Sequence, residues 1–240
     1  MRRLTNLDAR ADAAGWLVAY PDAIDGHWND GRDGPAGAAG DEGVDDVGFA
    51  VALVDHLVDV AGADRRRVYA TGMSNGAMLC HRLAAERPDV VAAIAAVAGT
   101  MPERQLATEG AGPVAVLVVH GTADPIVPWA GGPVSGSPST GRVASVEDTA
   151  GWWRRADGTG SSPTAEEPAG PGPEDPTSVR LTTWSGPGGA DVALLAVDGG
   201  GHTWPGGLQY MSQRVIGRTT THVHASDLVA RFFAGRTRLG

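Results

Sequence analysis

Short apolar runs alternate along this chain with longer stretches whose apolar residues recur at helical spacing. Residues 4–14 read as a short helix, and Trp16-Leu17-Val18-Ala19-Tyr20 as a strand that stops at Pro21. A Gly- and Asp-rich loop follows from 22 to 42. Next comes a long helix from Val44 to Ala61, opened by Asp41, Glu42, Asp45 and Asp46, which complement the helix dipole. Arg67 to Thr71 reads as a strand, 77–83 as a helix and Val90 to Val97 as a further strand. The run Val114 to Val119 is apolar throughout, as suits a strand buried on both faces of a parallel sheet. Residues 146–156 read as a helix, Val192 to Val197 as the last strand and Ala225 to Ala234 as the closing helix. Between them Asp157 to Ser178, rich in Gly, Pro, Ser, Thr and acids, reads as a loop insertion. This alternation predicts one α/β domain over residues 1–240, with a mostly parallel sheet and helices on both faces.

The junction of the strand 67–71 with the helix 77–83 carries Gly72-Met73-Ser74-Asn75-Gly76. A G-x-S-x-G pentad between a strand and a helix is the nucleophile elbow of an α/β-hydrolase. The sharp reversal forces the serine into a strained backbone conformation with Oγ exposed, and glycine at 72 and 76 is expected to avoid clashes. Asp124 follows the strand 114–119, and His202 follows the strand 192–197. In a parallel sheet both lie on the carboxyl edge, where the elbow also stands. A serine hydroxyl is a poor nucleophile without a base in reach, and a histidine oriented by a buried carboxylate is such a base. Singly, each residue has a plainer reading: Asp124-Pro125 as a turn, His202 as a solvated side chain, Ser74 as a helix N-cap. Their order and shared edge make the triad the better one.

Composition adds mainly exclusions. The net charge of −9 leaves no basic stripe for nucleic acid. All 19 basic residues are arginine, a bias that reads as genomic rather than functional. A single cysteine, Cys80, rules out an internal disulfide and reads as a small buried side chain. No run reaches the ~18 apolar residues of a membrane span, and Met1 to Asp8 leads into no signal-peptide core. His222 and His224 lack a third ligand at metal spacing, and the acids at 41–46 lack calcium-loop spacing. The glycine-rich stretches 31–40 and 131–141 lack the Lys-Ser/Thr of a phosphate loop. His120 reads as a strand-end residue held by hydrogen bonds. No metal and no cofactor are expected.

Several blocks together resemble the polyhydroxybutyrate depolymerase-like esterases, a group with feruloyl and acetylxylan esterase relatives. They are Tyr20-Pro21-Asp22, Trp28-Asn29, Asp45-Asp46-Val47-Gly48-Phe49, the elbow, His120 to Asp124, and Gly199-Gly200-Gly201-His202-Thr203-Trp204-Pro205-Gly206. The resemblance implies a serine carboxylesterase working through an acyl-enzyme, with Ser74 as nucleophile, Asp124 as orienting acid and His202 as base. It gives the Asn75 backbone N–H as an oxyanion donor and Trp28 and Trp204 as substrate-cleft residues. Hydroxyalkanoate oligomers and feruloyl or acetyl polysaccharide esters are the implied substrates, and the extracellular space is the implied location, or the cytoplasm if Met1 is the true start. Two departures stand out. A cysteine clip common in such enzymes is replaced by Gly158-Thr159 and Pro187-Gly188. The opening strands and the His-Gly loop that supplies a second oxyanion donor are also expected to be missing, as if the fold were N-terminally truncated. That would leave the strand 16–20 and the elbow strand without their shared neighbour and favour dimer pairing through exposed sheet edges. A catalytically impaired relic with a ligand cleft and a serine peptidase on the same fold are the competing readings.

Overall fold

A computed structural model describes residues 1–33, 43–110, 112–136, 140–170, 172 and 174–238; Asp41 and Glu42 fall outside them. In chain order the main elements are α1 (Arg2–Thr5), α2 (Leu7–Ala14), α3 (Asp46–Ala61), β1 (Tyr69–Met73), α4 (Asn75–Glu86), β2 (Ala93–Val97) and β3 (Ala115–Gly121). After the short pair β4 (Gly132–Pro133) and β5 (Arg142–Val143) come α5 (Val146–Ala156), β6 (Ala165–Ala169), β7 (Ser178–Trp184), β8 (Val192–Asp198), α6 (Gln213–Ile216) and α7 (Ala225–Phe233). Local chemistry sets several of these ends. The Asp45 side chain caps α3 at the Gly48 N–H (2.7 Å), and Gly62 ends that helix with φ 67°. The Ser145 hydroxyl caps α5 at the Asp148 N–H, 2.9 Å away.

The main sheet has the order β1-β2-β3-β8-β7-β6. β1, β2, β3 and β8 are parallel; β7 pairs antiparallel with β8, and β6 antiparallel with β7. Side chains alternate between two cores. Val116 and Val118 of β3 pack with Leu79, Leu83, Trp152 and Trp153 on one face. Leu117 and Val119 pack with Leu195, Leu228, Val229 and Phe233 on the other. The continuous apolar run in β3 therefore reflects burial on both faces.

Three expectations need correction. The strand predicted over 16–20 is not formed: the segment is extended, but among the described residues no strand pairs with it. Leu17 and Val18 are 60 % and 39 % exposed, and β1 is the outer strand on that side of the sheet. An apolar run records a preference for burial and supplies no hydrogen-bonding neighbour, which a strand requires. The helix predicted over 4–14 is two helices, broken at Asn6, which adopts φ 49°. The predicted loop 157–178 contains β6, whose partner β7 was also unanticipated. As the far edge strand, β6 tolerates a sequence of Ala, Glu and Pro that a central strand would not.

Candidate active site

Ser74 stands between β1 and α4 with φ 57° and ψ −124°, a region that non-glycine residues enter only where the surrounding structure compels it. Its N–H donates to the Val97 carbonyl (2.9 Å), and its own carbonyl accepts the Ala77 and Met78 N–H groups of the first helical turn. The backbone is thus pinned by β2 on one side and α4 on the other. Ser74 occupies the N-cap position of α4, yet its side chain does not cap, which leaves the hydroxyl free for chemistry. Glycine is required at 72, where a Cβ would meet Gly76 C and O at 2.5 and 2.6 Å. The expected clash at 76 is absent: a Cβ there would find only Trp28 Nε1, 4.0 Å away. Gly76 is crowded through its backbone, not through the space a side chain would take.

The acid lies just past β3. Asp124 is buried; its Oδ1 accepts the Ile126 and Val127 N–H groups, each at 2.8 Å, while Oδ2 accepts from His202 Nδ1 at 2.8 Å. The turn-forming and acid readings of Asp124 therefore hold at once, one oxygen for each. Gly121 lets the acid and histidine loops approach, since a Cβ on it would sit 2.3 Å from the Gly200 carbonyl oxygen. His202 is buried rather than solvated, with its N–H on the Ile216 carbonyl (2.6 Å) and its carbonyl accepting from the Tyr210 hydroxyl (2.9 Å). With Nδ1–H committed to Asp124, Nε2 carries the lone pair of a base. Asp124 and His202 are joined directly; between His202 and Ser74 there is no hydrogen bond among the described residues.

His120 is a strand-end residue, its Nε2 donating to the Val127 carbonyl (2.9 Å) and lying 3.5 Å from Asp124 Oδ2. Burial lowers its pKa and keeps it neutral beside the acid. Cys80 is buried, and burial pushes its thiol up to about 12, so it is inert. Among the described residues no group of acids, histidines or cysteines could hold a metal.

The two tryptophans differ in burial. Trp28 is half-buried beside the elbow and stacks on Phe49, with ring centroids 6.2 Å apart. Trp204 is 1 % exposed, packs in the α7-side core and donates its indole N–H to Ser226 Oγ (2.9 Å), and it also contributes to the wall of the cavity beside Ser74. It anchors the histidine loop. A cavity of about 1310 Å³ runs from Ser74 along β1, between α3 and the segment 15–22; Trp28, Phe49 and Trp204 are in its wall, Asp124 and His202 are not. Sequence reasoning missed Asp30, Arg32 and Tyr210, which stand in irregular loops and reach a neighbouring loop residue, the distant Asn75 side chain or a backbone carbonyl, and so leave no periodic trace.

Four parallel strands backed by helices on both faces, with a strained serine elbow and an Asp–His pair following their carboxyl ends, make this an α/β-hydrolase fold. Its sequence places it more narrowly. The chain belongs to the dienelactone hydrolase family, whose model matches residues 9–132. It is 34 % identical over 242 aligned residues to NocK of Nocardia uniformis subsp. tsuyamanensis, a candidate esterase by its name, covering 98 % of this chain and 70 % of that one. Feruloyl esterase B of Talaromyces funiculosus is 32 % identical over 117 residues, which is 49 % of this chain and 30 % of that enzyme. Among solved structures, the acetyl xylan esterase from Aspergillus awamori superposes with a TM-score of 0.55 at 19 % identity, covering 81 % of this chain and 75 % of that one, and bears on the fold alone. The protein is a carboxylic ester hydrolase. No helix among the described residues is long and apolar enough to cross a membrane.

Proposed function

We propose that this protein is a serine carboxylesterase in which Ser74, His202 and Asp124 act as a triad. The observation that carries the reading is the buried Asp124–His202 bond of 2.8 Å, which leaves Nε2 as a base on the sheet edge that also bears the strained Ser74. Ser74 Oγ attacks the ester carbonyl while His202 Nε2 takes its proton, and the Asn75 N–H at the start of α4 donates to the developing oxyanion. His202 then passes the proton to the leaving alcohol as the C–O bond breaks, giving an acyl-Ser74 ester. Water, deprotonated by His202, attacks that ester; the acid departs and Ser74 regains its proton.

The substrates proposed are feruloyl or acetyl esters on polysaccharides, in keeping with the names of the feruloyl esterase and acetylxylan esterase relatives in sequence, and hydroxyalkanoate oligomers by the sequence resemblance. Trp28 and Phe49 in the cavity wall offer apolar and aromatic surface to such acyl groups. Fluorophosphonate labelling with turnover of p-nitrophenyl acetate and methyl ferulate tests the reading. Labelling and turnover should both vanish in Ser74→Ala. Labelling that survives this change, or turnover of a peptide amide in preference to any ester, would reject a serine esterase.

A further inference from the structure

The loop from Trp28 to Arg32 is tied down by buried and part-buried polar contacts, three of which reach Asn75 at the elbow. Asn75, the residue after Ser74, accepts the Trp28 N–H at Oδ1 (2.7 Å) and donates from Nδ2 to the Trp28 carbonyl (2.9 Å). The same Nδ2 donates to Asp30 Oδ2 at 2.6 Å. Asp30 is 0 % exposed, and its carboxylate also takes the Arg32 backbone N–H (3.0 Å) and Arg32 Nε (2.9 and 3.1 Å). On the other side of the loop, Asn29 N–H donates to Asp46 Oδ2 (2.6 Å), and Arg82 Nη1 donates to the Asn29 carbonyl (2.8 Å). A buried ion pair is weak evidence for stability, because desolvation offsets most of the attraction; what it can supply is one fixed geometry. Here the geometry fixed is that of Trp28, whose Nε1 is the nearest atom to the open space over Gly76 and whose ring stacks on Phe49.

We propose that Asp30 is a positioning residue for specificity: by fixing the Asn75 amide it holds Trp28 as a rigid wall beside Ser74, so that the site favours esters whose acyl group is large enough to lie against that ring. The inference rests on the serine-esterase reading and deepens it. Both Asp30 oxygens face donors, so an amide in its place must turn its NH2 toward either Arg32 or Asn75. Turned toward Asn75, it meets a donor and drives the Asn75 amide to flip, which breaks both bonds to Trp28. Turned toward Arg32, it sets donor against donor there and releases the loop from its buried anchor.

The test compares p-nitrophenyl benzoate with p-nitrophenyl acetate, which share a leaving group and differ only in the acyl part. Asp30→Asn should lower the benzoate-to-acetate ratio of kcat/KM by about tenfold, mainly through KM for benzoate, the scale on which an apolar contact discriminates substrates. Trp28→Ala should lower the same ratio, and adding Asp30→Asn to it should change the ratio no further, since the two act through one contact. The ratio does not depend on how much of the enzyme is folded, so general destabilisation would leave it unmoved. If Asp30→Asn does not fold, Asn75→Ala removes the link itself while Asp30 keeps its bonds from Arg32, and the same fall in ratio is expected. An unchanged ratio in either single variant, or independent multiplying effects in the double, would overturn the positioning role. Failure of wild type to turn over either ester, or turnover that survives Ser74→Ala, would overturn the serine-esterase reading and this inference with it.

Discussion

Replacing Asp124 by asparagine changes one atom and isolates the acid's contribution. Asp124 Oδ1 accepts two backbone N–H groups at 2.8 Å, and an asparagine oxygen can keep both. The amide NH2 then falls where Oδ2 received His202 Nδ1–H at 2.8 Å, and two donors cannot share that line. The imidazole answers by moving its proton to Nε2, the atom that in the proposed triad must be bare to accept the Ser74 proton. The lost bond to a charged acceptor is worth about 1.5–3 kcal/mol. Forfeiting the correct tautomer and the support of the imidazolium in the transition state brings the total to about 4–5.5 kcal/mol, or 10³–10⁴ in kcat. Steady-state hydrolysis of p-nitrophenyl acetate measures the loss, and a thermal melt shows that the fold survives because the backbone bonds of the turn are retained. Activity within tenfold of wild type, at an unchanged melting temperature, would refute the assignment of Asp124 as the orienting acid.

The elbow glycines should behave unequally. Gly72→Ala must force a Cβ against Gly76 backbone atoms 2.5 and 2.6 Å away, and should cost more than about 3 kcal/mol in denaturant titrations, whereas Gly76→Ala should cost under about 1.5 kcal/mol; equal losses would contradict the packing described. Asp157 accepts the Val114 N–H at Oδ1, but its Oδ2 is buried without a partner, and burial raises its pKa to about 8. Above the ordinary carboxylate range the unfolded chain releases this proton while the folded protein keeps it, so stability drains as pH rises from about 4 toward 8. Asp157→Asn should therefore raise the melting temperature at pH 8 and much less at pH 4.5, and a pH-independent effect would exclude this cause. His81 is 0 % exposed, accepts from Trp153 Nε1 (3.0 Å) and is pushed down to about 3 by burial. The unfolded chain takes up that proton below about pH 6.5 and the folded one does not until near 3, so stability is lost as pH falls through this window. His81→Gln should flatten that acid slope in melts from pH 7 to pH 4, and an unaltered slope would assign the acid loss to other groups.

Much of this architecture was legible because it depends on neighbours in sequence. The runs at 67–71, 90–97, 114–119 and 192–197 became β1, β2, β3 and β8 within a few residues; β2 and β3, buried on both faces, need apolar side chains at every position, while the half-buried outer strand β1 was marked by the elbow that follows it. The helix 146–156 came out with its predicted ends, because its cap and its charges are local. The outer hairpin was illegible for the converse reason. β6 is an edge strand with polar composition, and nothing local distinguishes Ala-Glu-Glu-Pro-Ala from a loop until β7 lies beside it. The segment 16–20 failed in the opposite direction, with an apolar run but, among the described residues, no partner strand.

By itself, then, the chain determined the parts of the site that follow directly from strand ends. Ser74, Asp124 and His202 each stand within a few residues of a parallel strand, and the carboxyl ends of parallel strands must share an edge. Tertiary structure alone decided what surrounds them: that Trp28 is half-buried beside the elbow while Trp204 is almost fully buried, that Asp30 reaches Asn75 across 45 positions of sequence, and that Tyr210 braces the histidine loop. Those contacts join irregular loops, whose paths depend on packing against the finished sheet. A strand end has its position set by the ladder, whereas a loop side chain finds its partner only after the ladder exists.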